Sequence, residues 1–169
     1  MGLRYWFLFF ILIVLGASAC KRGCKDVNCL NNGECQTGGA CSCPGRWSGQ
    51  LCDSLCPIGL QGPYCSVTSR TKFVRNWNAS TSSGSSGLVK HPLYVTNGPI
   101  IQQIIITNFN NENYTVIGTL LDYDKFEILT QNATGGYTGV INGSGYLNGE
   151  NMAISLTKQG VDYFANCNK

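Results

Sequence analysis

Nine of the ten cysteines in this 169-residue chain fall between Cys20 and Cys65, and the tenth, Cys167, stands far from the rest. Clustering of this kind marks a disulfide framework. So short a stretch cannot bury enough apolar surface to fold unaided, and cross-links compensate by restricting the unfolded chain. Zinc modules are the other use of clustered cysteines, and their ligands usually come as C-x2-C pairs. No such spacing occurs here. Disulfides persist only in an oxidising compartment, so the chain is expected to be exported.

The first twenty residues agree with export. Arg4 is followed by an uncharged apolar run from Tyr5 to Leu15 and then by the small residues Gly16-Ala17-Ser18-Ala19. That is the form of a secretory signal, and the run is shorter than the roughly 20 residues of a spanning helix. Residues 1–19 are therefore expected to be a signal peptide. Ala17-Ser18-Ala19 suits ordinary cleavage, and the same residues followed by Cys20 resemble a bacterial lipobox, with Ala17 where Leu is usual. On the lipobox reading Cys20 carries the lipid, residues 20–23 form a linker, and the partner is a membrane. The alternative is plain secretion, with Cys20 disulfide-bonded, for instance to Cys167.

From Cys24 the spacing runs Cys24-x4-Cys29-x5-Cys35-x5-Cys41-x-Cys43-x8-Cys52, with Asn31-Asn32-Gly33 before Cys35 and Gly45-Arg46-Trp47-Ser48-Gly49 before Cys52. Residues 24–53 resemble an EGF-like module on these motifs. Six cysteines allow fifteen pairings. The resemblance implies Cys24–Cys35, Cys29–Cys41 and Cys43–Cys52. Residues 54–66 repeat the last loop, with Cys56 and Cys65 again separated by eight residues. They resemble the hairpin of a truncated second EGF-like unit closed by Cys56–Cys65; the alternative is that these two cysteines pair elsewhere. Calcium-binding members of the family need acidic residues just before the first cysteine, where this chain has Lys21-Arg22-Gly23. No metal is expected.

Residues 67–169 change character. β-Branched and aromatic segments alternate with Gly, Asn and Ser turns, the signature of an all-β fold. Strands are expected at Phe73–Ala79, Leu88–Thr96, within Pro99–Phe109, and at Tyr114–Leu121, Lys125–Thr130, Tyr137–Leu147, Met152–Thr157 and Val161–Cys167. Ser80–Gly87 reads as a polar loop, and Asn148-Gly149 as a two-residue hairpin turn. In Met152–Thr157 the residues Met152, Ile154 and Leu156 share one face, as in a half-buried strand. A small up-and-down barrel and a sandwich both fit this pattern.

Phe73-Val74-Arg75-Asn76-Trp77 resembles the first-strand Trp region of lipocalin-like (calycin) domains. Gly143 to Asn151 resembles a late hairpin of lipocalin-like domains in Bacteroidetes-type lipoproteins, some of which follow an EGF-like segment. The resemblance implies an antiparallel up-and-down β-barrel over 67–169, with Trp77 closing its base. Two departures stand out. Arg75 occupies the place of Gly in the family's G-x-W motif, and no cysteine near the first strand is available to pair with Cys167.

Catalytic chemistry finds little support. The single histidine, His91, lies beside Pro92 with no Ser, Cys or carboxylate motif nearby, and reads as a surface-loop residue. Asp122 and Asp124 flank Tyr123 and read as a solvated turn rather than an acid/base pair. No Gly-rich strand-to-helix segment offers a phosphate cradle, and no cofactor is expected. The net charge of +3 comes without a basic stripe, so no nucleic-acid partner is expected. Four N-x-[ST] sequons begin at Asn78, Asn113, Asn132 and Asn142, against about 2 by chance from this composition. The expectation is a non-enzymatic cell-envelope lipoprotein, held at the outer membrane through Cys20, that presents a small β domain for binding. The alternatives are a carrier of a small apolar ligand within the barrel and a secreted, glycosylated adhesion or matrix protein.

Overall fold

A computed structural model describes residues 23–84, 86–137 and 139–169. The expected signal peptide and the lipidation of Cys20 lie outside the described residues. The described chain is an all-β molecule in two parts: a small disulfide-bonded module and an eight-stranded closed barrel of the lipocalin/calycin type.

The module is built from three hairpins whose strands are only two residues long. Strand β1 (Glu34–Cys35) pairs with β2 (Cys41–Ser42), β3 (Trp47–Ser48) with β4 (Ser54–Leu55), and β5 (Leu60–Gln61) with β6 (Val67–Thr68). Hairpins this short are not stable by backbone pairing alone. Disulfides Cys24–Cys35, Cys29–Cys41, Cys43–Cys52 and Cys56–Cys65 hold them, linking cysteines 9 to 12 residues apart. The sulfurs also serve as the core: Cys41, Cys52 and Cys56 are buried, while Leu30, Leu51, Leu55 and Ile58 remain exposed. Neighbouring segments are tied together by Leu30 N–H to the Leu51 carbonyl (2.8 Å) and Cys56 N–H to the Arg46 carbonyl (2.8 Å).

A 3-10 turn at Ser69–Lys72 leads into the barrel. Its strands are β7 (Arg75–Ser83), β8 (Ser86–Asn97), β9 (Gln103–Thr107), β10 (Tyr114–Leu120), β11 (Lys125–Asn132), the two-residue β12 (Thr134–Gly135), β13 (Val140–Asn148), β14 (Asn151–Lys158) and β15 (Val161–Asn168). All pairings are antiparallel. They join successive strands, except that β12 pairs with β10, β11 passes it to pair with β13, and β15 closes the ring on β7. Alternate residues point inward, so Trp77, Leu93, Val95, Ile104, Ile106, Val116, Phe126, Ile154 and Leu156 fill one interior. Phe73 meets Phe126 edge to face at 5.4 Å. The Phe126 ring lies so close to Gly145 that no Cβ fits there, and that glycine is fixed by close approach rather than by backbone freedom.

Three expectations need correction. Ser80–Gly87 is not a loop: β7 continues to Ser83 with Ala79, Thr81 and Ser83 inside. Small polar residues hide that alternation, yet they are satisfied within the barrel, since Thr81 bonds His91 and Ser83 bonds Ser86. His91 is accordingly buried on β8 rather than exposed in a loop. The last hairpin is offset by one residue: Asn148 pairs with Asn151, leaving Gly149-Glu150 as the turn with Gly149 at φ +60°. Pro92 is accommodated mid-strand because β9 pairs with β8 only from Tyr94 onward, so no ladder donor is missed there.

Closure between β10 and β11 is sparse. Backbone pairing covers only Thr119–Glu127 and Leu120–Phe126, after which β11 bulges between Ile128 and Gln131. The side-chain amide of Gln131 fills the gap: Oε1 accepts from Ile117 N–H (2.8 Å), and Nε2 donates to the Ile117 carbonyl (2.7 Å). A further bond from Nε2 reaches the Leu129 carbonyl at 3.1 Å. One side chain thus stands in for a missing strand residue.

Candidate functional site

The two ends of the barrel differ. At the end away from the module, Lys158 reaches inward from the last residue of β14 and is nearly buried. Its ammonium lies 4.2 Å from the ring centre of Tyr137, 5.4 Å from Tyr114 and 5.8 Å from Tyr163, and pairs with Glu112. A cation enclosed by ring faces and a carboxylate is well compensated, so this group plugs the end. Burial, helped by Glu112, raises the Tyr114 phenol well above its ordinary range, which keeps it neutral.

His91 belongs to the same polar half of the interior. A carbonyl can only accept, so the 3.1 Å contact with the Pro92 carbonyl places a proton on Nδ1. In the neutral ring Nε2 then accepts from the Thr81 hydroxyl at 2.8 Å. Both ring nitrogens are committed to the fold. Asn108, in a left-handed conformation, donates to the same Pro92 carbonyl at 2.7 Å.

The other end faces the module, which docks against it. Arg46 pairs with Asp122 at 3.2 Å, and Gly45 packs against the Tyr123 ring. Arg70 donates through Nη1 to the carbonyls of Gly98 (3.1 Å) and Ile100 (2.9 Å). Beside this contact opens a cleft of about 480 Å3 lined by Lys72, Arg75, Trp77, Tyr123, Leu147 and Lys169 among others. It falls within the ~300–1,000 Å3 of ordinary small-molecule sites.

Local structure sets each side chain in that cleft. Arg75 and Trp77 are two apart on β7 and so share the inward face, with the guanidinium 5.0 Å from the indole centre. The buried indole is fixed by its Nε1–H donating to the Phe73 carbonyl at 2.8 Å. Lys72, at the end of the 3-10 turn, lies 4.6 Å from the Tyr123 ring centre. Burial lowers its pKa, and the charge of Asp124 opposes that shift. Asp124 also raises the Tyr123 phenol, with burial and Asp122 adding to the effect. Glu150 pairs with Lys169 across the rim.

The residues singled out in the sequence are therefore distributed over several places. The eight disulfide cysteines all belong to the module. Cys167 is buried at the end of β15 and has no disulfide partner among the described residues; burial pushes its thiol up to about 12. Asp122 holds the module through Arg46, and Asp124 faces the cleft, so the two carboxylates act separately. Asn78, Asn113, Asn132 and Asn142 are all exposed. Among the described residues no group of three or more His, Cys, Asp or Glu is placed to hold a metal ion. Lys158 and Gln131 escaped sequence reasoning because their partners lie 46 and 14 residues away. Comparison with protein families, curated proteins and solved structures finds no match.

Proposed function

We propose that the chain is an exported, non-enzymatic cell-envelope lipoprotein, anchored through Cys20, whose EGF-like module carries a lipocalin-like barrel that binds through its outer surface and module-side end. The observation that favours this reading over a carrier is the filled interior. Trp77, Phe126, Ile104 and Ile154 occupy the module-side half, and Lys158 with its tyrosines occupies the other. Small barrels filled by their own side chains leave no room for an enclosed apolar ligand. The module supports the same reading, because Arg46 fixes it to the barrel and Arg70 pins the turn that joins them, as in a spacer rather than a loose tether.

Intact mass of the natural protein tests the anchor. Two or three acyl chains on Cys20 are expected, together with loss from the membrane pellet in Cys20→Ser. Hexose-rich additions at the exposed sequons would overturn the lipoprotein in favour of a secreted glycoprotein. Co-purified lipid inside the barrel would overturn surface binding in favour of the carrier.

A further inference from the structure

We propose that the module-side cleft is a binding site for a small organic monocarboxylate, gripped by the Arg75 guanidinium, with its apolar body against Leu147 and the Tyr123 ring. Arg75 is distinguished by what it lacks. The described residues include three arginines, and two are committed: Arg46 pairs with Asp122, and Arg70 donates to two backbone carbonyls. Arg75 has no carboxylate and no hydrogen-bond acceptor among the described residues, only the face of Trp77 beneath it. A guanidinium carries its N–H donors at the edge of its plane, where a carboxylate takes two of them in parallel. Trp77 is itself held by its bond to the Phe73 carbonyl, so the ring beneath the guanidinium is set before any ligand arrives.

The charge balance of the cleft sets the ligand class. Lys169 pairs with Glu150, and the charge of Asp124 acts on Lys72. Arg75 has no carboxylate within ion-pair distance among the described residues. That favours a single negative charge over a doubly charged phosphate, which would meet the carboxylates of Asp124 and Glu150. Leu147 and Tyr123 supply an apolar wall beside the charge, so the ligand carries hydrocarbon or an aromatic ring next to its carboxylate. Arg75, Trp77 and Leu147 all belong to the barrel, so binding here is independent of how Cys20 is modified.

Titration of the full-length mature chain with benzoate, benzamide and inorganic phosphate tests this, with the Trp77 indole N–H resonance as the readout. Benzoate is expected to give a saturable shift in the millimolar range or tighter. Benzamide, isosteric but uncharged, is expected to bind at least about tenfold more weakly, as loss of a charge-assisted pair predicts. Arg75→Gln should lose binding to a similar degree, Arg75→Lys should lose most of it, and Lys90→Gln should retain it. Absence of saturation with benzoate would overturn the proposal. So would equal binding of benzamide, or phosphate binding more tightly than benzoate. The benzamide and phosphate comparisons need no variant and hold even if a substitution at Arg75 unsettles the fold.

Discussion

The module and the barrel solve the same entropic problem in opposite ways. In the module, strands are two residues long, Leu30, Leu51, Leu55 and Ile58 remain exposed, and four disulfides supply both the cross-links and most of the buried side chains. In the barrel, strands reach twelve residues, twenty buried side chains form one cluster, and the single cysteine is a buried thiol with no disulfide partner among the described residues. Small units without a core depend on constraining the unfolded chain, whereas a larger one depends on burial. The stability of one part should therefore respond to redox conditions and that of the other to core volume.

The largest expected effect breaks the comparison along that line. Reduction removes four cross-links from the module, each contributing about 2–4 kcal/mol in a small domain. Amide protection across 24–65 should vanish while β13 to β15 stay protected. Simultaneous loss from both would show that the barrel depends on its stem. Trp77→Ala is the reciprocal experiment. It should cost about 3–5 kcal/mol in denaturant unfolding and leave the module's disulfide pattern intact.

Smaller effects separate the two ends of the barrel. Lys158→Ala exposes three tyrosine faces and strands Glu112, which should cost about 1–3 kcal/mol by thermal unfolding. Gln131→Ala leaves the N–H and carbonyl of Ile117 without their partner, a loss of about 1–2 kcal/mol accompanied by faster exchange of the Ile117 amide. An unchanged Ile117 exchange rate would mean that water replaces the amide fully.

The smallest effect at neutral pH concerns Cys167. Its folded-state pKa is raised from 9.0 to about 12, so the folded protein prefers the protonated thiol. The stabilisation this gives is fully present below about pH 9 and is lost as pH rises from there toward about 12. Alkylation at pH 8 should consequently modify Cys167 only after unfolding.

Legibility in the sequence followed the range of the interaction. Met152, Ile154 and Leu156 advertise their shared face within a single strand, and all three are buried. Spacing alone marked the cysteine-rich segment as a cross-linked unit. The polar end of β7 was opaque, because Thr81 and Ser83 look like loop residues until His91 and Ser86 are brought beside them. The Lys158 cage was opaque for the same reason at longer range, since Glu112 and the three tyrosines come from different strands and loops. Arg75 was visible as a departure from a motif, but its meaning depended on finding no acceptor around it.

A ring of strands has to be weakest somewhere, and here that place is the join spanned by Gln131. The strands on either side of it follow one another along the chain, so if they part they remain tethered by a short link and rejoin at small entropic cost. The opposite join, β15 to β7, holds segments that are distant in sequence, and it has six uninterrupted residue pairs. Breathing is thereby confined to a line that heals locally, while the stitch that would be slow to remake is paired without a break.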